Sequence, residues 1–159
     1  MICVILYYTA TQKTKVFAQA LGDVLNRPIY ELKTKLGEKI GFKFIFQSLY
    51  LALTGKMYPV DNMPEAIAEN EIYLCAPVWG GNPAAPAWYF LNHADLKGKK
   101  VNLILTCGNV TSAVKYRKKA LDALALVDCV PGAAYVFATT DTPPDRETVA
   151  SQLRDMLPS

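Results

Sequence analysis

The chain opens with a run that leaves few folds open to it. Ile2 to Tyr8, ICVILYY, contains no charged or amide residue and shows no alternation. A strand with one face in water alternates; an unbroken run belongs to a strand covered on both faces, as in the middle of a parallel sheet. Thr9-Ala10-Thr11-Gln12-Lys13-Thr14 then reads as a turn. From Thr14 to Leu25, Val16, Phe17, Ala20, Leu21, Val24 and Leu25 fall on one helical stripe, ended by Asn26 and Pro28. A buried strand that feeds straight into a helix starts a βαβ unit.

The rest of the chain continues that alternation. Ile29 to Lys33 alternates, as an edge strand does. Glu71 to Ala76 and Lys100 to Thr106 predict two further strands, and Ala133 to Thr139 a last one. Helices are predicted to start near Ala87, to run from about Ser112 to Leu126 with Val114, Leu121, Leu124 and Ala125 inward, and to close the chain through Val149, Leu153, Met156 and Leu157. The KYRKK residues of the second of these are expected to face mostly outward. Thr142-Pro143 reads as a cap followed by proline at the first helical position. Strands alternating with helices make a parallel sheet with right-handed crossovers, and five strands suit an open doubly wound α/β fold. No repeat, low-complexity tract or linker interrupts residues 1–159, so one domain is expected.

One segment stands outside the pattern. Residues 36–63 read as a helical insertion whose apolar part is Ile40 to Thr54, IGFKFIFQSLYLALT. That stretch is shorter than the roughly 18 apolar residues of a bilayer span, and Lys43 and Gln47 interrupt it. Phe42, Ile45, Leu49 and Leu53 recur at helical spacing, which predicts a buried or lid-like helix, with membrane contact as the lesser alternative.

Composition narrows the function classes. Hydrophobic residues are 52% of the chain and charged ones 19%, a globular balance. The formal charge of +3 comes from scattered lysines, which solvated faces explain without nucleic acid. Cys3, Cys75, Cys107 and Cys129 form no CxxC pair and no zinc spacing, and a reducing cytoplasm is the expected compartment. The first residues lack the basic n-region of a signal peptide.

In a doubly wound sheet, ligands bind beyond the carboxyl ends of the strands, where strand order reverses. Three loops leave those ends. In TATQKT, three threonine hydroxyls, the backbone N–H groups of a helix N-terminus and the Lys13 charge could cradle a phosphate; the other reading is a hydroxyl-rich helix cap. It is neither a Walker loop nor a GxGxxG fingerprint. In PVWGGNPAAP, Trp79 beside Gly80 and Gly81 could stack on a flat ring, or could anchor the loop on the following helix. In TCGNVTS, Cys107, Gly108 and Asn109 could present N–H groups and an amide to a ring's polar edge. A nucleophilic role for Cys107 would need a base; the only histidine is His93, and no GxSxG elbow occurs.

Taken in this order, the loops resemble those of the flavodoxin family, and the resemblance covers nearly the whole chain. It is specific in Pro77-x-Trp79-x-Gly81, Ala85-Pro86 and Leu96-x-Gly98-Lys99-Lys100-Val101, and the insertion GFKFIFQSLYLALTGKMYPV resembles a segment of bacterial flavodoxin-like proteins. The resemblance implies a three-layer fold with strand order 2-1-3-4-5 and an FMN cofactor. The phosphate would lie on Thr9, Ala10, Thr11, Gln12, Lys13 and Thr14. The ring would lie between Pro77, Val78, Trp79, Gly80, Gly81 and Asn82 on one side and Cys107, Gly108 and Asn109 on the other. It implies electron transfer through the flavin to a partner protein, by a monomer or homodimer, with few positive charges near the ring. Three departures widen the reading. Gln12 stands where many relatives have glycine, the second ring loop has no aromatic, and the chain is basic where shuttle flavodoxins are acidic. The alternatives are a nicotinamide-linked reductase of quinone-like molecules and an interaction module without FMN. No metal, nucleic-acid or membrane-inserted role is expected.

Overall fold

The computed structural model describes residues 2–35, 42–139, 142 and 144–158. Strand β1 (Cys3–Tyr7) occupies the centre of a sheet, as its apolar run requires: every residue of it is buried. Val4 and Leu6 enter the core on one face, with Tyr8 beyond the strand end; Cys3, Ile5 and Tyr7 enter the core on the other. β2 (Ile29–Glu31) and β3 (Glu71–Trp79) flank it in parallel, followed by β5 (Lys100–Cys107) and β6 (Val130–Ala138). The order β2-β1-β3-β5-β6 is the expected 2-1-3-4-5 path. The addition is β4 (Asn82–Pro83), two residues paired antiparallel to the end of β3.

Helices α1 (Lys13–Leu25) and α5 (Arg146–Met156) cover one face through Phe17, Leu21, Val149 and Leu153. Helices α3 (Ala85–His93) and α4 (Ala113–Ala125) cover the other through Phe90, Leu91, Ala120 and Leu124, joined by Val60 from the connection before β3. The result is the three-layer α/β architecture expected from the sequence.

Several local expectations differ. In α4 the expected inward residues Leu121 and Leu124 do face the core, but Val114 is 82% exposed and Ala125 is also exposed, and Ala120 and Ala123 are buried in their place. The closing helix starts at Arg146 and is capped by Asp145, whose carboxylate accepts from the Thr148 N–H; Pro143 lies outside the described residues. The insertion is helical from Phe42 to Thr54 (α2), but Leu49 and Leu53 of the expected buried stripe are exposed and Leu51 is buried instead. Ile40 and Gly41, and the side chains of Phe42 and Ile45, lie outside the described residues. Periodicity names a stripe but not its target; α2 meets only the edge of the body.

A polar staple joins three strands near the amino edge. Glu71 accepts from Asn102 Nδ2 at 2.8 Å and pairs with Lys100 at 3.0 Å, while Asn102 Oδ1 accepts from the Ala133 N–H at 2.9 Å. The buried amide is thereby bonded through both of its ends.

Candidate functional site

The three loops singled out in the sequence meet at the carboxyl edge of the sheet. At the β1–α1 turn, Gln12 is the N-cap of α1 and has φ 66°. Such left-handed backbone costs a residue with a Cβ about 1–2 kcal/mol, and glycine adopts it freely. The glycine missing from TATQKT is therefore missing from the one position whose backbone calls for it. The Gln12 side chain is exposed and makes no cap hydrogen bond.

Hydroxyls around this turn divide into two groups. Thr14 is turned inward: its Oγ1 lies 2.9 Å from Thr106 Oγ1 at the end of β5, and both residues are buried. It ties the first turn of α1 to the strand that leads into Cys107. Thr9 Oγ1 and the Tyr8 hydroxyl are also buried, yet neither finds a hydrogen-bond partner among the described residues. A buried polar atom left unsatisfied costs about 1–3 kcal/mol, so such atoms in a folded protein mark strain or a missing partner. Burial also drives the Tyr8 phenol well above the ordinary tyrosine range, with a smaller push from Tyr58, so Tyr8 stays neutral and can donate. Thr11 is exposed, Ala10 packs partly on the core, and Lys13 and Lys15 place two ammonium groups in the first turn of α1.

The stretch read as a loop at 77–86 is largely a hairpin. β3 runs through Trp79, pairs Trp79 with Asn82, and turns through Gly80 (φ 60°) and Gly81 (φ 86°). A two-residue turn of type I′ needs positive φ at both positions, and Gly-Gly is among its sequence signals. The tip is clasped from two sides. A Cβ on Gly80 would sit 2.5 Å from the Ala52 carbonyl oxygen of α2. A Cβ on Gly81 would sit 2.9 Å from Lys119 Nζ of α4. Lys119 therefore brings positive charge to the hairpin tip, where the sequence led us to expect few such charges.

Trp79 lies half-buried between these parts. Its ring meets Tyr8 edge-on at 5.8 Å between centroids and packs on the Leu51–Ala85 cluster, as does Tyr58. The indole anchors the hairpin to both α2 and the first residue of α3. Pro77 and Val78 are half-buried below it, and Asn82 is half-buried beside it.

The third loop follows β5. Cys107 is buried and its Sγ lies 3.3 Å from the Asn109 carbonyl, which accepts from the thiol. Asn109 Oδ1 accepts from both the N–H and the hydroxyl of Thr111, at 2.9 and 2.6 Å, while Gly108 and Asn109 remain exposed. His93 is not near Cys107. It ends α3, which returns to the amino edge before β5; its ring stacks on Tyr89 at 3.9 Å and Nδ1 donates to the Tyr89 carbonyl. Cys107 stands at the far end of β5, on the order of 20 Å away by strand rise. A Cys–His nucleophile pair is thus ruled out by topology. Cys3, Cys75, Cys107 and Cys129 are free thiols, and burial raises the first, second and last above the usual cysteine range. Among the described residues, no cluster of His, Cys, Asp or Glu could hold a metal ion.

The structure adds Tyr8, Tyr58, Thr106, Leu51, Ala52 and Lys119 to the residues around the site. Tyr8 and Thr106 had a signal in the sequence, as the last residue of the opening apolar run and the first of TCGNVTS. The others reach the site from elsewhere in the chain.

In sequence, the chain matches no family model and no curated protein. In structure, it is similar to a Bacteroides uniformis protein assigned as a flavoprotein, at 18% identity and TM-score 0.68, over 96% of this chain and 97% of that one. It is also similar to a flavoprotein of Lactobacillus acidophilus solved in complex with FMN, at 18% identity and TM-score 0.59, over 84% and 91% of the two chains. A flavodoxin of Streptococcus pneumoniae matches at 12% identity and TM-score 0.53, over 99% of this chain and all of that one. The shared fold is thus flavodoxin-like.

Proposed function

We propose that the chain is an FMN-binding redox protein whose flavin phosphate lies in the β1–α1 turn. The observation that carries this reading is the buried Thr9 hydroxyl, which has no partner among the described residues and sits one turn before the N-terminus of α1. A phosphate oxygen accepts hydrogen bonds, is favoured by the helix dipole and the first backbone N–H groups, and would satisfy the Thr9 donor. The turn lies between the parallel neighbours β2 and β3 of the central strand, where a doubly wound sheet opens for a ligand. The Lactobacillus acidophilus relative, with FMN bound in the same fold, supports that choice of cofactor. The residues fit the group: Thr9, Thr11, Gln12 and Lys13 would hold the phosphate, while Thr14 fixes the turn through Thr106 and would offer the phosphate its backbone N–H.

Bound FMN would supply the electron and hydride chemistry. The chain's own part is placement. The Gly80–Gly81 tip and the Gly108–Asn109 turn would border the ring, Trp79 would hold the hairpin in position, and Lys119 would add positive charge beside it. Electron transfer to a partner protein is the role proposed for this arrangement. Exposed Gly108 and Asn109 also favour a second role, nicotinamide-linked reduction of a quinone-like molecule, because no aromatic side chain stands on that loop.

FMN titrated into the purified protein should lose fluorescence with saturable, stoichiometric quenching. No quenching, together with a colourless preparation, would reject the proposal. Stopped-flow mixing of the FMN-loaded protein with NADH and NADPH separates the two roles: rapid bleaching of the flavin band supports the reductase, and no bleaching supports the partner-coupled carrier.

A further inference from the structure

Helix α2 exposes the wrong side for an ordinary surface helix. Its buried contact is Leu51, packed with Ala85 next to Trp79 and Tyr58. Outward, Phe46, Leu49, Tyr50, Leu53 and, just beyond the helix, Met57 are all exposed, Leu53 to 78%. Their spacing places them on one stripe along a helix about 20 Å long. A helix apolar on nearly every side is normally covered on nearly every side.

Charge says what would cover this one. Lys43 stands in line with the stripe at the start of α2, and Lys56 follows its end, folded back so that Nζ donates to the Tyr50 hydroxyl at 2.8 Å. Both are exposed. Residues 42–57 contain these two lysines and no aspartate or glutamate. The exposed stripe thus has a lysine at each end and no acidic side chain along it.

We propose that the outward stripe of α2 docks on an anionic phospholipid surface. Leu49, Leu53 and Met57 would enter the boundary between headgroups and acyl chains. Tyr50 would lie at headgroup level, and Lys43 and Lys56 would meet lipid phosphates. Association is peripheral, since no described helix is long and apolar enough to cross a membrane. Pairing with a second copy would bring the lysines at the stripe's ends, Lys43 and Lys56, against those of the other copy with no carboxylate to meet them, a like-charge contact that disfavours association. The inference stands apart from the proposed FMN binding, which is placed at the three loops and not on the outward stripe of α2.

The test is flotation of the full chain with phosphatidylcholine vesicles with and without phosphatidylglycerol, at low and high salt. FMN quenching is measured on the same samples, so failure of either idea is read separately. Co-flotation is expected with the anionic vesicles, falling with salt and weak without phosphatidylglycerol. Leu49→Ser with Leu53→Ser should cut partitioning about tenfold or more. Lys43→Gln, which leaves the stripe intact, should cut it about fivefold and serves if the double variant does not fold. The proposal is overturned by equal recovery in neutral vesicles or none in anionic ones, or by partitioning that both variants leave unchanged. It is also overturned by a lipid-free dimer that Leu53→Ser dissociates, which would assign the stripe to a second copy.

Discussion

Two residues of the first turn separate the needs of folding from the needs of binding. Thr9 carries a buried hydroxyl with no hydrogen-bond partner among the described residues. Thr9→Val keeps the shape and removes that unsatisfied group, so the free protein should melt at the same temperature or higher while FMN affinity falls about tenfold. Parallel melting and quenching titrations check this; a variant that loses stability but keeps its affinity would make Thr9 a structural residue. Gln12 tests the converse. Its φ of 66° is paid for in strain and its side chain makes no cap bond, so Gln12→Gly should stabilise the free protein by about 0.5–1 kcal/mol after the entropy of an added glycine is counted. Denaturant unfolding measures it. Lys119 acts on the other side of the site. Replacing it by glutamine removes a positive charge from the hairpin tip, which should lower the midpoint potential of bound FMN on the order of tens of millivolts. A potential that does not move would place Lys119 outside the reach of the ring.

At the scale of elements, the β3–β4 hairpin links the insertion to the site. A Cβ at Gly80 would meet the Ala52 carbonyl at 2.5 Å in a backbone conformation that already disfavours it. Gly80→Ala should therefore cost about 2 kcal/mol or more and should loosen α2 as well as the tip. Limited proteolysis within residues 42–57 reads the second effect; a variant with wild-type stability and cleavage would show that the clasp is slack. Helix α5 makes a prediction in pH. Hydrogen bonds from the Thr148 N–H and hydroxyl hold the Asp145 carboxyl below the usual range, and the Arg146 guanidinium does the same to Asp23. Both folded values lie below the unfolded one. Their contribution is complete above about pH 4 and is lost as pH falls through the folded values. Asp145→Asn retains an acceptor for the cap, so its melting temperature should fall less steeply with acid than that of the parent protein.

Across the whole molecule, the sheet is pinned at opposite edges by different chemistry. Glu71, Asn102 and Ala133 close the amino edge with hydrogen bonds inside the protein. The carboxyl edge keeps the Tyr8 and Thr9 hydroxyls without partners among the described residues. Asn102→Ala should destabilise the fold by about 1–3 kcal/mol without changing FMN affinity, because the unpaired Ala133 N–H lies at the far edge. Saturating FMN should raise stability by about 2.7 kcal/mol at a hundredfold excess over its dissociation constant, in both parent and variant.

The strand β1, the order of strands and helices, and the three edge loops were legible in the sequence because each depends on local pattern. An unbroken apolar run such as ICVILYY can be satisfied only between two layers, and a parallel sheet places its turns at one edge. The hydroxyl-rich turn and the Gly-Gly pair likewise announce themselves. Three matters were decided only by tertiary structure. Thr14 was expected to face a phosphate with its hydroxyl, but Thr106, 92 residues away, takes that hydroxyl into the core. Lys119 lies in a run expected to face mostly outward and is exposed, but which loop its ammonium would stand beside, the hairpin tip, was not readable from that run. The stripe of α2 was expected to be buried or to act as a lid, with membrane contact as the lesser alternative, and the body offers the helix only the small contact around Leu51 and Ala85. In each case the deciding partner is distant in sequence, and a periodic pattern states which side chains share a face without stating what stands opposite them.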